Sequence, residues 1–187
     1  TAKYMHQILN LSLDAYDEIF QEFDISNLVE KKGIIYVWTN QNPKSRELEI
    51  KVRNDLGVKQ QLLNTREILD LEPNLKPVFD GGAYYDYAYH AKDPGEIVKK
   101  IFELFLKKGG KFIKENVQTV KQSSINETII KTANKDYKFE KSVIACGAFS
   151  KKLTDQLEEK IPLDTERGYH VHFKGMEKLL NRPVIFL

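Results

Sequence analysis

The sequence predicts an α+β protein with a mixed, largely antiparallel sheet and several helices. Apolar residues recur at helical spacing, with charged residues between them, most clearly over 4–23 and 94–108. Short runs rich in valine, isoleucine and tyrosine lie between and after these segments. Glycine, asparagine and serine bound these runs, as is typical of strands joined by turns. The chain therefore places sheet segments on either side of one strong helix.

The N-terminal part of the chain alternates between helix and strand signals. Residues 4–23 predict a helix with a break near Asn10, and GIIYVWT at 33–39 predicts a buried strand. Ser45 is a candidate N-cap for a helix that ends at Gly57. The next elements expected are a strand over 58–63 and a short capped helix within TREILDLEP.

The strongest helix signal follows residue 92. Asp93 is placed to cap the helix, Pro94 suits its first position, and Glu96 completes a capping-box pattern. The pair Gly109-Gly110 ends it. The side chains expected on its buried side are Ile97, Val98, Ile101, Phe102, Leu104 and Phe105.

The C-terminal part predicts short strands and one more helix. Strands are expected for KFIK, VQTV, ETIIKTA, DYKFE and SVIAC, and a helix over 150–159. RGYHVHF at 167–173 alternates in polarity. A strand there would carry Tyr169 on one face and both His170 and His172 on the other.

Composition and charge exclude several classes of function. The net charge of the 187 residues is only +2, and lysines are interspersed with acids, so a nucleic-acid partner is not expected. No apolar run approaches the roughly 20 residues that a membrane span needs. The single cysteine, Cys146, excludes an internal disulfide and fits a reducing, cytoplasmic compartment.

The two ends of the chain predict that it is a fragment. The sequence begins at Thr1 inside an amphipathic pattern and ends on the apolar run VIFL at 184–187. An unpaired apolar strand promotes aggregation, so a complete protein rarely ends on one. We therefore expect the chain to be part of a longer protein.

The segment VIACGAFS, at 143–150, has an end made of small residues that admits two interpretations. Three apolar residues lead into Cys146, Gly147 and Ala148, and a helix signal follows. In one interpretation Gly147 only lets the backbone turn or pack against a neighbour. In the other, the small side chains let a ligand approach the backbone closely.

The segment from about 65 to 170 contains a series of short motifs in a fixed order. TREILDLEPNL fits the pattern L-x-x-x-E-x-x-x-x-E-P-x-L and leads to the glycine pair Gly81-Gly82. Asp93-Pro94, Gly110, KFIKENVQTV, VIACGAFS and PLDTERGYH, at 162–170, then follow. In this order the motifs resemble the FAD-dependent D-amino-acid oxidase and dehydrogenase superfamily, and PLDTERGYH is most similar to its bacterial D-amino-acid dehydrogenases.

The resemblance implies FAD as the cofactor and identifies residues that line it. In the family, the strand ending in A-x-G lies beside the dinucleotide, so the implied cofactor-lining residues are Ala145, Cys146, Gly147 and Ala148. The strand after the glycine-ended helix holds the adenine through backbone contacts at a valine. Val117 is the matching position in this chain.

The resemblance also implies a discontinuous arrangement of domains. Residues 1–92 and 151–187 correspond to a substrate domain, truncated at its second part, and residues 93–150 to a returning piece of an FAD-binding α/β domain. This chain contains neither the G-x-G-x-x-G loop that binds the pyrophosphate nor the later segment that supplies a substrate-binding arginine. It is therefore expected to be the middle of a flavoenzyme, inactive alone.

The candidates for the substrate side are a tyrosine, an arginine and two histidines. Tyr169 lies in a segment that borders the active site in the family, and Arg167 can hold a carboxylate through two hydrogen bonds. His170 and His90 are the remaining candidates. Each candidate also has a purely structural interpretation. Tyr169 could be a core aromatic and Arg167 a member of an ion pair. His170 could be a solvated histidine and His90 an ordinary loop histidine. His170 and His172 lack a third ligand motif, so no metal site is predicted.

The expected function is oxidation of a D-amino acid or another amine by hydride transfer to flavin. The substrate is then a small molecule; the sequence does not identify the electron acceptor. A dehydrogenase of this kind is expected to be cytoplasmic or peripheral at the inner membrane. The alternatives are a binding module without flavin, in which Gly147 serves packing alone, and a glycerol-3-phosphate or 2-hydroxyacid dehydrogenase.

Overall fold

A computed structural model describes residues 2–176 and 179–187, and it has the predicted mixture of helices and small, largely antiparallel sheets. The helices are α1 (Ala2–Leu9), α2 (Ser12–Glu22), α3 (Pro43–Asp55), α4 (Thr65–Leu71), α5 (Pro94–Lys107) and α6 (Ser150–Thr154). The strands are β1 (Val29–Glu30), β2 (Ile34–Val37), β3 (Gln61–Leu63), β4 (Gly82–Tyr85), β5 (His90–Ala91), β6 (Thr119–Ser124), β7 (Glu127–Lys131), β8 (Asp136–Phe139) and β9 (Val184–Phe186).

The chain divides into two compact units. Thr1–Gly110 together with Phe173–Leu187 forms the first unit, and Lys111–His172 forms the second. These boundaries describe packing within the chain and differ from the predicted domain boundaries after residues 92 and 150. The assignment of segments to a substrate domain and an FAD-binding domain stays a prediction.

The first unit is built on a four-stranded sheet in the order β3-β4-β2-β9. β4 pairs antiparallel with β3 and with β2, whereas β9 pairs parallel with β2, placing Val184 opposite Ile35. The predicted strand at the VIFL run is confirmed. It is a paired strand, however, so the aggregation argument for a fragment does not apply to it.

Both faces of this sheet are covered. Successive side chains of a strand point to opposite faces. On one face Ile35 and Val37 pack with Ile68 of α4 and with Phe79, all buried. On the other face Trp38, Ala83 and Tyr85 form a second cluster. The strands approach closely at Gly82, where an added Cβ would lie 2.3 Å from the Tyr36 carbonyl oxygen.

Local signals set most helix ends in the first unit. The predicted break between α1 and α2 is confirmed, and α4 has a complete capping box between Asn64 and Glu67. Asp93 Oδ1 accepts the Glu96 N–H at 2.9 Å, as predicted for α5. The predicted cap at Ser45 is wrong. Asn42 caps α3 because Pro43 occupies the first helical position, and the Asn42 side chain accepts the Lys44 N–H.

The apolar side of α5 is less covered than the sequence predicts. No residue of this helix is buried, and Val98 and Phe105 are 67% and 48% exposed. Ile97, Ile101 and Leu104 are half-buried. The described residues therefore cover one edge of the apolar side and leave the other edge accessible to water.

The second unit contains the antiparallel sheet β6-β7-β8. The strands predicted at ETIIKTA and DYKFE are confirmed, and the VQTV strand is confirmed with a later start, at Thr119. The strands predicted for KFIK, SVIAC and 167–173 are wrong, since these segments are irregular. A strand requires a hydrogen-bonded neighbour, and no described strand pairs with these three segments. The helix predicted over 150–159 is α6, continued by a 3₁₀ turn at Asp155–Leu157.

Asp17 joins α2 to the β1–β2 connection and to the segment before β5. Its carboxylate accepts from Lys31 Nζ at 2.7 Å and from the Tyr89 hydroxyl at 2.9 Å. The hydrogen bond from Lys31, and then that from Tyr89, lowers the pKa of Asp17 below its ordinary value of 3.8. The hydrogen bond to Asp17, and then that to Tyr89, raises the pKa of Lys31.

Asp17→Asn is therefore expected to lower stability at neutral pH by an amount that disappears in acid. A lowered carboxyl pKa stabilises the fold above the unfolded pKa, and this contribution is lost as the pH falls through the folded pKa. Thermal unfolding midpoints of both proteins from neutral pH to below 3.8 measure the difference. Asp14→Asn, at an exposed position of the same helix, is the control. Parallel pH profiles for the native protein and Asp17→Asn would refute this role.

Candidate functional site

The turn between residues 145 and 150 is open and held by one side chain. The Cys146 N–H donates to Ser150 Oγ at 3.0 Å, which closes the turn at the start of α6. Gly147 has φ +55°, a conformation that disfavours side chains, and an added Cβ would meet no atom of residues 2–176 and 179–187 within 4 Å. The positive φ supports the interpretation in which Gly147 lets the backbone turn, whereas the described residues show no neighbour against which it packs.

The segment before this turn differs from the predicted buried strand. Ala145, Cys146 and Ala148 are exposed, and Val143 is 90% exposed. These apolar side chains remain in water, so they do not contribute the stabilisation that burial would give. The segment therefore presents small side chains and accessible backbone.

Val117 lies in the same unit, just before β6, and is 39% exposed. The next residue, Gln118, donates its N–H to the Lys131 carbonyl of β7 at 2.8 Å. Gln156 reaches this segment from the 3₁₀ turn after α6. Its amide accepts the Val120 N–H and donates to the Gln118 carbonyl, both at 3.1 Å. The two predicted cofactor-binding segments thus belong to elements that are bonded to each other.

These residues fit the approach of a dinucleotide. A flat, extended cofactor needs backbone that no side chain shields, and the open space beside Gly147 provides it. Val117 remains accessible on an anchored segment. The Gln118 and Val120 backbone groups are already bonded to Lys131 and Gln156, so a backbone contact to adenine would have to come from Val117 itself.

The substrate-side candidates of the second unit lie in an irregular, exposed segment. Tyr169 is 84% exposed, so its interpretation as a core aromatic is wrong for the described residues. Arg167 is also exposed. His170 and His172 are in edge-to-face contact, with ring centroids 4.9 Å apart. Among residues 2–176 and 179–187 there is no group of three or more His, Cys, Asp or Glu side chains placed to hold a metal.

His90 lies in the first unit, on β5, and its environment is polar on one side and apolar on the other. Its Nε2 lies 3.5 Å from Glu30 Oε2, and its Nδ1 is buried without a hydrogen-bond partner among the described residues. Lys32, which is bonded to Glu30, is the main cause of the lowered Glu30 pKa. His90 also lines a cleft of about 380 Å³, whose other walls are mainly apolar side chains of α2 and α5.

A buried ion pair that the sequence did not reveal fixes β9 to α4. Glu72, fully buried, lies with Oε1 3.5 Å from Arg182 Nε, and its Oε2 accepts the Asn181 N–H at 2.8 Å. The Arg182 guanidinium lies 5.4 Å from the Tyr84 ring centroid. Glu72 is the second glutamate of the family-like pattern L-x-x-x-E-x-x-x-x-E-P-x-L. Its position in that pattern is the one sequence feature that could have identified Glu72 as a functional or structural residue. Nothing local in the sequence identifies Arg182 as its partner.

No helix in the described ranges has both the length and the apolar composition to cross a bilayer.

Comparison with known proteins gives the family. A curated D-amino-acid oxidase from Bradyrhizobium diazoefficiens is 27% identical over 177 residues, covering 95% of this chain and 42% of that protein. A Geobacillus kaustophilus glycine oxidase structure covers 95% of this chain and 48% of that one, with a TM-score of 0.69 at 18% identity.

An L-proline dehydrogenase structure from P. horikoshii has a TM-score of 0.72 at 18% identity, covering 96% of this chain and 49% of that one. At this identity the two structures show the fold alone. The chain spans about half the length of these relatives. The family described as FAD dependent oxidoreductase matches residues 2–186. The chain belongs to this family of FAD-dependent oxidoreductases.

Proposed function

We propose that the chain is the central part of an FAD-dependent oxidoreductase that oxidises a D-amino acid or a related amine. The observation that carries the proposal is the family match over residues 2–186, in a chain whose small-residue turn is open rather than packed. The similarity to a D-amino-acid oxidase supports the substrate class. FAD, when bound, would supply the hydride acceptor.

The residues proposed to hold FAD are those of the open turn and Val117. Ala145, Cys146, Gly147 and Ala148 would let the dinucleotide lie against the backbone, and their exposure supports this role. The Cys146–Ser150 hydrogen bond would keep the turn in its open form. Val117 would contact the adenine through its backbone.

The residues proposed for the substrate side are Arg167, Tyr169, His170 and His90. Arg167 would bind the substrate carboxylate, because a guanidinium donates two parallel hydrogen bonds to such a group. Tyr169 and His170 would orient the amine or accept its proton. The exposure of Arg167, Tyr169 and His170 supports these roles, since none of the three is engaged in a packed core. His90 is the weakest member of the set, because Glu30 already lies beside it.

We further propose that residues 93–150 belong to the FAD-binding domain and that the flanking segments belong to the substrate domain. The exposed Val143 supports this arrangement because further chain would bury it, whereas α5 packs within the first compact unit. The chain alone is expected to be inactive. As a dehydrogenase, the whole protein would be cytoplasmic or peripheral at the inner membrane.

Turnover by the full-length protein and by the 187 residues alone tests this function. Both are supplied with FAD, a redox dye and a panel of D-amino acids, L-amino acids and secondary amines. We expect dye reduction by the full-length protein with at least one D-amino acid, and none by the chain alone. Glycerol 3-phosphate and 2-hydroxy acids are included as competing substrate classes. Turnover confined to these classes would contradict the proposed substrate, and turnover by the chain alone would contradict its inactivity.

A further inference from the structure

The two segments proposed to bind FAD are distant in sequence but share one link. Val117 precedes β6, whereas residues 145–148 precede the helical segment that runs from Gly147 to Leu157. Gln156, near the end of that helical segment, bonds to the backbone of the segment that carries Val117. This link is the side chain of a residue that the sequence does not distinguish from other surface glutamines.

The Gln156 amide replaces part of a neighbouring strand. It donates to the Gln118 carbonyl and accepts from the Val120 N–H, each at 3.1 Å. One residue of a neighbouring parallel strand would bond to this same pair of groups, two residues apart. The amide is the only uncharged side-chain group that offers a carbonyl acceptor and an NH₂ donor together, so Gln156, although exposed itself, bonds to both backbone groups at once.

Buried residues surround the hydrogen bonds between Gln156 and the start of β6. Val120 is 4% exposed, and Leu153 and Thr154 of α6 are 9% and 6% exposed. A Val120 N–H without an acceptor would therefore carry a desolvation cost. At its other end, the helical segment begins at the turn that Ser150 closes. The position of the open turn relative to Val117 thus depends on where Gln156 holds the segment.

We propose that Gln156 is a positioning residue for FAD, which sets the separation between the adenine-contacting segment at Val117 and the open turn at 145–148. This inference rests on the proposed FAD-binding role of those residues. Gln156 itself does not contact the cofactor. Its loss is expected to weaken FAD binding because the two contact segments no longer hold one geometry before the cofactor arrives.

FAD affinity of the full-length apoprotein, measured by quenching of flavin fluorescence, tests the inference. Gln156→Ala is expected to raise the Kd about tenfold, equivalent to about 1.4 kcal/mol. Amide hydrogen exchange at Val120 should accelerate in the same variant, which shows that the link was removed. Gln122→Ala, at an exposed position of β6, is the matched control and should leave the Kd unchanged.

Gln156→Glu separates positioning from a general loss of stability. An ionised carboxylate cannot donate to the Gln118 carbonyl, whereas a protonated one both donates and accepts. The ratio of its Kd to that of the native protein should therefore fall as the pH is lowered toward about 4.3, the ordinary glutamate pKa. If Gln156→Ala does not fold, the pH dependence of the Kd ratio for Gln156→Glu alone tests the positioning role.

The outcomes separate this inference from the proposed function. Native protein that binds no FAD overturns both. Native protein that binds FAD, with Gln156→Ala of equal affinity despite faster exchange at Val120, overturns the positioning role and leaves the proposed function standing. A Gln156→Glu ratio independent of pH also overturns the positioning role.

Discussion

Replacing Glu72 with alanine is expected to lower the free energy of unfolding by about 3–5 kcal/mol, as is typical when one partner of a buried ion pair is removed. Glu72 is fully buried, and Arg182 is 13% exposed in its side chain. The variant leaves the guanidinium as an uncompensated charge and removes the acceptor of the Asn181 N–H. Because Asn181 and Arg182 directly precede the β9 segment, that strand should detach before the rest of the sheet unfolds.

Chemical denaturation followed by tryptophan fluorescence measures this effect, since Trp38 is buried directly after β2 of the same sheet. Glu72→Gln keeps the acceptor for Asn181 and isolates the loss of charge. Asp70→Ala, at an exposed position of α4, is the matched control and should change stability little. The double variant Glu72→Leu/Arg182→Met should recover most of the loss, because it removes both charges from the interior. Equal stabilities of Glu72→Ala and Asp70→Ala would show that the pair does not stabilise the fold.

Gly147→Val is expected to weaken FAD binding by the full-length protein at least about 100-fold, equivalent to roughly 2.7 kcal/mol. The branched side chain would fill the open space beside the backbone that we propose the dinucleotide occupies. It would also strain the backbone, because Gly147 has φ +55°. The control variant must therefore introduce the same backbone strain at a glycine that lies outside the proposed cofactor site.

Gly57→Val is that control. Gly57 has φ +73°, and an added Cβ there would also meet no atom of the described part of the chain within 4 Å. It follows α3, outside the proposed cofactor-binding segments. Both variants should lose similar thermal stability, and Gly147→Val alone should lose FAD affinity. Equal FAD affinities for the two variants would remove Gly147 from the cofactor-binding set.

Elements whose signals are local could be predicted from the sequence. The cap at Asp93, the break between α1 and α2, and the hairpin strands β7 and β8 depend on residues a few positions apart. Their hydrogen-bond partners are near in sequence, so pattern and structure coincide. The family resemblance, carried by the order of short motifs, predicted the family and the cofactor.

Elements that depend on distant partners could not be predicted in the same way. SVIAC and RGYHVHF have strand-like patterns, but no described strand pairs with them. VIFL pairs with β2, which lies far away in sequence. A pattern gives a residue's preference for a face, whereas a strand also requires a neighbour.

The side-chain links of the structure were the least predictable part. Glu72 meets Arg182 across more than half of the chain, and Gln156 replaces a strand residue through its amide. Neither contact leaves a periodic or motif-like signal. Charged or amide residues in a short helix usually indicate a solvated surface, and only the fold reveals the buried partner.

The visible absorption spectrum of the full-length protein, purified without added cofactor, tests the central claim most directly. We expect flavin bands at about 450 nm, because enzymes of this type hold a protein-bound flavin. Anaerobic addition of the correct D-amino acid should then bleach them. A colourless protein that remains colourless and binds no flavin after incubation with FAD would contradict the proposed cofactor site at Val117 and residues 145–148.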